Sequence, residues 1–266
     1  MRFESFADGL VICGDSTSDE IQLFLNERLG VEHKFDLIIA DPPYGNIVKE
    51  RWDRYDGPDD QFAKWMTSWT QLWTSRLVAQ GAFYVWGGIG KPGFRPFLRY
   101  LIDVETRTFQ LATLVTWSKK RAYGVQNNYL FTREELAYFV NGDAKKPAIF
   151  NVPYLNSLRG YAGYNAKYPA KDERYRRTNV WTDITEIFRG KVHPTQKPQR
   201  TSEVIIETHT NVGGWVLDPF AGAGTTALAA RKLGRRFVVI EQDEKHFQTI
   251  VDSLLKTGVE LPISDD

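Results

Sequence analysis

The sequence predicts an α/β fold: a doubly wound mixed sheet carrying one irregular insertion. Three observations predict it. Short apolar runs of strand length alternate with stretches of helical spacing along most of the chain. Four of those runs close on an acid, at Asp15, Asp41, Asp218 and Glu241, as expected where strands end on one rim of an open sheet. Between residues 142 and 191 the apolar periodicity collapses into a stretch rich in Tyr, Asn, Pro and Arg.

In chain order, residues 10–13 read as a strand ending at Gly14-Asp15, followed by a helix over 18–29 that Gly30 stops. Residues 35–40 form a short apolar strand. Asp41-Pro42-Pro43 must end it, because proline cannot donate to a strand ladder. Residues 59–79 read as one long helix stopped by Gly81, with Trp65, Trp69, Leu72, Trp73 and Leu77 at helical spacing as a packing stripe. A strand over 82–86, a Gly/Pro break over 87–93, a helix to about residue 102, and strands over 109–117 and 134–140 follow. Beyond the insertion come a helix at 201–208, a strand at 215–218, a Gly-rich turn, a helix at 225–233, a strand at 236–241 and a last helix at 244–256. The chain divides into 1–141 and 192–266, two halves of one domain, with 142–191 inserted between them.

Composition bounds the function. A chain of 266 residues with 42% hydrophobic residues can bury an ordinary core, and no apolar run approaches the ~18–20 residues of a membrane span. The N-terminus lacks a basic-then-apolar signal pattern, so a cytoplasmic protein with no membrane partner is expected. One cysteine, Cys13, excludes an internal disulfide and sits inside an apolar run as a small core residue. With one Cys and four scattered His, no zinc pattern exists and no metal is expected. A net charge of +1 gives no global attraction to nucleic acid, so any such binding must come from local patches.

Two strings carry the chemistry. In Asp218-Pro219-Phe220-Ala221-Gly222-Ala223-Gly224-Thr225-Thr226, a strand meets a Gly-rich turn that opens a helix. Glycines admit close backbone approach to a ligand, and the helix N-terminus adds unpaired N–H groups. Seventeen residues after Gly224, Glu241 ends the next strand, where a carboxylate can accept from both ribose hydroxyls of a nucleoside. The spacing alone also satisfies a dinucleotide fingerprint, which leaves NAD as a rival, whereas the lack of Gly-Lys-Ser/Thr speaks against a P-loop. The second string is Asp41-Pro42-Pro43-Tyr44, suited to gripping an amino group and a flat base.

Together, and in this order, the two strings resemble the β-class S-adenosylmethionine-dependent amino-methyltransferases of DNA, over about residues 10–250. The resemblance implies a sheet of the Rossmann-like methyltransferase type, with a catalytic half at 1–141, a target-recognition segment at 142–191 and a cofactor-binding half at 192–266. Transfer to an exocyclic amine needs neither metal nor covalent intermediate. Asp41 and the Pro42 carbonyl would accept the amine N–H groups, favouring the growing positive charge on nitrogen. Pro42 and Pro43 stiffen that loop, and Tyr44 offers a face to a flipped-out base. The family usually continues with Asn, where this chain has Gly45.

By the same resemblance, S-adenosyl-L-methionine is the cofactor and its site takes in Cys13, Asp15, Asp41, Asp218, Phe220, Ala221, Gly222, Gly224, Thr225, Thr226 and Glu241. Asp15 would meet the adenine edge, and Lys197, in His193-Pro194-Thr195-Gln196-Lys197-Pro198, the methionine carboxylate. The recognition segment mixes bases with rings. Lys167, Arg174, Arg176 and Arg177 are its expected contacts to double-stranded DNA, with a solvated charged loop as the plain alternative. An aspartate at the head of the catalytic string points to N6 of adenine, with N4 of cytosine as the competing target and a catalytically idle DNA-binding subunit as the competing class. A homodimer, a cognate restriction enzyme and association with the nucleoid are further expectations of this reading.

Overall fold

The computed structural model describes residues 1–44, 59–87, 94–123, 127, 129–158, 174–187 and 196–258. Its strands are β1 (Arg2–Phe6), β2 (Gly9–Cys13), β3 (Phe35–Ala40), β4 (Leu77–Gly87), β5 (Gln110–Tyr123), β6 (Phe131–Val140), β7 (Tyr154–Leu158), β8 (Arg174–Arg176), β9 (Val180–Trp181), β10 (Trp215–Asp218) and β11 (Arg236–Glu241). The helices are α1 (Asp19–Leu29), α2 (Asp59–Thr74), α3 (Phe94–Val104), α4 (Gln199–His209), α5 (Thr225–Lys232) and α6 (Glu244–Lys256).

Nine strands form one sheet in the order β1-β2-β11-β10-β3-β4-β6-β5-β9. The five from β2 to β4 are mutually parallel, β1 and β6 run antiparallel to their neighbours, and β9 adds parallel to β5. This is the mixed, doubly wound sheet expected. Both of its faces are covered, which is why the central strands read as continuous apolar runs. On β3, Leu37 and Ile39 face the core that holds α4, α5 and α6, while Phe35, Ile38 and Ala40 face the core that holds α1, α2 and α3. β11 divides in the same way, Phe237 and Val239 against Val238 and Ile240.

Local chemistry fixes the ends. Ser18 caps α1 by accepting from the Ile21 N–H, and Asp243 caps α6 by accepting from Lys245 and His246. The long helix expected over 59–79 stops at Thr74. Residues 77–79 continue the helical spacing, but Leu77 pairs with Phe35, and the ladder resumes only at Leu37 and Ala82 after a register shift. The extra residues are absorbed where Gln80 adopts φ 61° beside Gly81. β1 is an addition: it folds back on β2 with Phe6 opposite Gly9, across a two-residue turn.

Within the interval 142–191, the described residues are irregular but not detached. β7 and β8 form their own antiparallel pair, whereas β9 joins the main sheet and buries Trp181 and, just beyond it, Ile184 in the core. Among the described residues, no helix is long and apolar enough to cross a membrane.

Candidate active site

The parallel order places β2, β11, β10 and β3 side by side, with Glu241 opposite Cys13, Asp218 opposite Val239, and Leu217 opposite Ile38. Their C-terminal ends therefore bring Asp15, Glu241, Asp218 and Asp41 to one rim. A cleft of about 660 Å³ opens there, within the range of small-molecule sites. It is lined by Asp15, Asp41, Pro42, Pro43, Tyr44, Lys197, Asp218, Phe220, Ala221, Gly222, Thr225, Thr226 and Glu241. Cys13 and Gly224 are not on that lining. The Cys13 thiol lies 3.1 Å from Glu244 and is pushed up to about 12 by burial, then by Glu244. Gly224 begins α5 at φ 75°, and a Cβ there would meet the Ile250 side chain at 2.9 Å, so this glycine serves helix packing.

The turn after β10 is held from within. Asp218 accepts from the Phe220 N–H at 3.0 Å. Burial pushes Asp218 up to about 7, against the hydrogen bonds from Thr226 and Phe220 and with help from Asp41 and Glu241. Glu241 accepts from the Gly222 N–H at 2.7 Å and the Asp243 N–H at 2.8 Å. Burial raises it above the ordinary glutamate range despite those bonds. Asp15 forms its own turn, accepting from the Thr17 N–H and hydroxyl at 2.8 and 2.7 Å.

On the catalytic side, Tyr44 donates its hydroxyl to Asp41 Oδ1 at 2.6 Å. Lys197 is buried, and its Nζ donates to both Asp41 oxygens at 3.0 and 2.8 Å and to the Tyr44 hydroxyl at 2.9 Å. The same ammonium pairs with Glu134 at 3.1 Å, and Glu134 with Lys119. Glu134 carries no sequence signal beyond heading the strand expected over 134–140. Trp65 also lines the cleft, 6.2 Å ring to ring from Phe220, although its place in the helical stripe marked it as core. Trp69 and Trp73 of that stripe are fully buried.

The arginines of β8 and the one that follows it separate. Arg174 lies over the Tyr154 ring at 4.8 Å and Arg176 over the Phe150 ring at 5.9 Å. Arg177, expected on DNA, is instead buried, with its guanidinium clamped on Asp183 at 2.6 and 2.7 Å and stacked near Trp181. Burial opposes ionisation of Asp183, but this pairing holds its carboxyl below the usual range. The pair spans β9, tying the chain before it to the chain after it. Lys167 lies outside the described residues.

The polar groups of the cleft discriminate between nucleoside cofactors. A dinucleotide needs N–H groups free for its pyrophosphate, yet the Gly222 N–H is spent on Glu241. Five acids line the cleft, Asp15, Asp41, Asp218, Glu241 and Asp243, and the Lys197 ammonium is engaged by Asp41. A cationic nucleoside fits this charge; a pyrophosphate does not. Among the described residues, no three His, Cys, Asp or Glu side chains converge in a metal-holding group.

The sheet order, the acid rim and the Asp-Pro-Pro-Tyr loop define an S-adenosylmethionine-dependent amino-methyltransferase. The chain belongs to the N6/N4 DNA methylase family, whose model matches residues 35–252. It is 30% identical over 234 residues to the DNA adenine methyltransferase YhdJ of Escherichia coli, covering 80% of this chain and 74% of that one. It is 27% identical over 232 residues to the Type II methyltransferase M2.DpnII of Streptococcus pneumoniae, covering 80% of each. The M1.HpyAVI–SAM complex superposes with a TM-score of 0.60 at 24% identity, over 91% of this chain and 98% of that one. The cytosine-N4-specific PvuII DNA methyltransferase gives 0.64 at 16% identity, over 96% and 89%, a likeness of fold.

Proposed function

We propose that this enzyme methylates the N6 amino group of adenine in a base turned out of double-stranded DNA. The observation that carries the reading is the meeting of the Asp41–Tyr44 loop with the acid rim in one cleft. When bound, S-adenosylmethionine supplies a methyl group made electrophilic by its sulfonium. Glu241 receives the ribose hydroxyls, Asp15 the adenine edge, and the turn from Asp218 through Thr226, with Phe220 beside Trp65, walls the nucleoside. Asp41 and the Pro42 carbonyl accept the amine N–H groups and draw the nitrogen lone pair out of the ring. Tyr44 supports the base, its ring fixed by the hydroxyl's bond to Asp41. Adenine is favoured over cytosine by the aspartate at position 41 and by the name of the E. coli relative.

Residues 1–141 and 192–266 act as the catalytic and cofactor halves, and 142–191 as the target-recognition segment, whose Arg174 and Arg176 meet phosphates. A cytoplasmic, nucleoid-associated enzyme working beside a cognate restriction endonuclease suits the Type II relatives, and a homodimer is tested by sedimentation. The deciding experiment incubates unmodified genomic DNA with labelled cofactor and digests it to nucleosides. Labelled N6-methyladenine is expected; N4-methylcytosine, or no label, overturns the assignment. Asp41→Ala should slow single-turnover transfer at least ~10²-fold while the protein still folds.

A further inference from the structure

We propose that Lys197 and Glu134 are positioning residues for Asp41, and that the Lys197 ammonium stays on Asp41 instead of serving the cofactor's methionine carboxylate. The inference rests on the reading of Asp41 as the group that polarises the amine.

An ammonium has three protons to give. Four oxygen atoms lie within 3.1 Å of Lys197 Nζ: both oxygens of Asp41, the Tyr44 hydroxyl and Glu134 Oε2. The first three accept hydrogen bonds from it, so all three protons are spent, and Glu134 Oε2 is held by charge alone. The Tyr44 and Trp86 rings stand 5.1 and 5.0 Å from the same nitrogen, and the Lys197 side chain is only 6% exposed. The charge is enclosed by two carboxylates and two aromatic rings. Moving it onto a ligand would leave Asp41 without its counter-charge and Glu134 with Lys119 alone, in a poorly hydrated site.

Glu134 answers the difficulty this arrangement raises. A cation resting on one carboxylate weakens that carboxylate as an acceptor for a further N–H. Here the Lys197 charge is divided between Asp41 and Glu134, and Glu134 also pairs with Lys119. Four charges alternate in sign from β5 to the catalytic loop, with Asp41 at the end nearest the base site. Asp41 keeps acceptor strength and is held in one orientation, which spares the entropy of aiming it. The Tyr44 hydroxyl, donating to Asp41 and accepting from Lys197, is fixed by the same row.

The test uses the full chain with S-adenosylmethionine and a duplex that the parent methylates. Glu134→Gln keeps the shape and removes the charge. Its single-turnover rate should fall at least tenfold, while dissociation constants for cofactor and duplex stay within twofold of the parent. Glu134→Asp should recover part of the rate. For Lys197→Met, binding of S-adenosylmethionine is compared with that of 5′-methylthioadenosine, which lacks the amino-acid moiety. The ratio of the two affinities should match the parent's. A selective loss for S-adenosylmethionine of tenfold or more would place Lys197 on the methionine carboxylate and overturn the proposal. A parental rate for Glu134→Gln would overturn it as well. Asp41→Ala, run alongside, separates the failures: a slow Asp41→Ala with a normal Glu134→Gln sinks only the positioning row, whereas a fast Asp41→Ala removes the catalytic reading and this proposal together.

Discussion

Glu241→Gln exchanges one oxygen for an amide nitrogen and probes the cofactor half of the cleft. In the parent, the two Glu241 oxygens accept separate backbone N–H groups, Gly222 at 2.7 Å and Asp243 at 2.8 Å. Each oxygen keeps a second lone pair for a ribose hydroxyl. However the amide of Gln is turned, its NH₂ faces one of those backbone donors and leaves it without a partner. An unsatisfied buried donor costs about 1–3 kcal/mol. At ~2–4 °C per kcal/mol for a domain of this size, the melting temperature should fall by roughly 2–12 °C. Cofactor binding loses the charged acceptor and one of the two ribose contacts, again about 1–3 kcal/mol, or roughly 5–150-fold in Kd. Titration calorimetry with S-adenosylmethionine reads the second quantity, and thermal melts with and without it read the first. A cofactor Kd within twofold of the parent would refute the ribose role, even if the melting temperature drops as the Gly222 turn loosens.

Asp218→Asn should flatten the pH dependence of stability. Native Asp218, pushed up to about 7, holds a proton that the unfolded chain releases near pH ~3.9, so stability falls as pH rises from about 4 to about 7. Melting temperatures measured from pH 5 to 8 should decline less in the variant than in the parent; parallel declines would show that Asp218 does not retain its proton. Replacing Arg174 and Arg176 by Ala should lower the salt slope of DNA binding by about one unit per phosphate contact without changing cofactor affinity. Arg177→Met should instead lower the melting temperature and leave that slope intact, because its partner is Asp183.

The acid rim was legible because each of its members ends an apolar run, and in a parallel sheet such ends gather on one side. Helix and strand types followed from the same runs. The boundary between α2 and β4 was hidden because Leu77 satisfies both the helical stripe and the ladder with Phe35, and only the tertiary pairing decides. β1 was missed although Asp8-Gly9 is a turn signal beside it. Lys197 was found by its string but not its surroundings. Glu134 could not be found at all, since its partners arrive from β5, the loop after β3 and the segment before α4. Arg177 looked like its neighbours Arg174 and Arg176, and burial beside Trp181 is what sets it apart.

The strands at the middle of the sheet are the last to be made. β10 and β11 insert between β2 and β3, which leave the ribosome far earlier. At ~5–20 residues per second, roughly 10–40 s separate the emergence of β3 from that of β11. Until then β2 and β3 each carry an open edge built from residues that end fully buried, among them Val11, Ile12, Leu37 and Ile38. Such edges invite pairing with other chains. Biogenesis of this enzyme therefore has a vulnerable interval set by strand order alone. A nascent chain halted before residue 215 should be captured by chaperones or aggregate, and it can hold no cofactor, because Asp218 and Glu241 have not yet been translated.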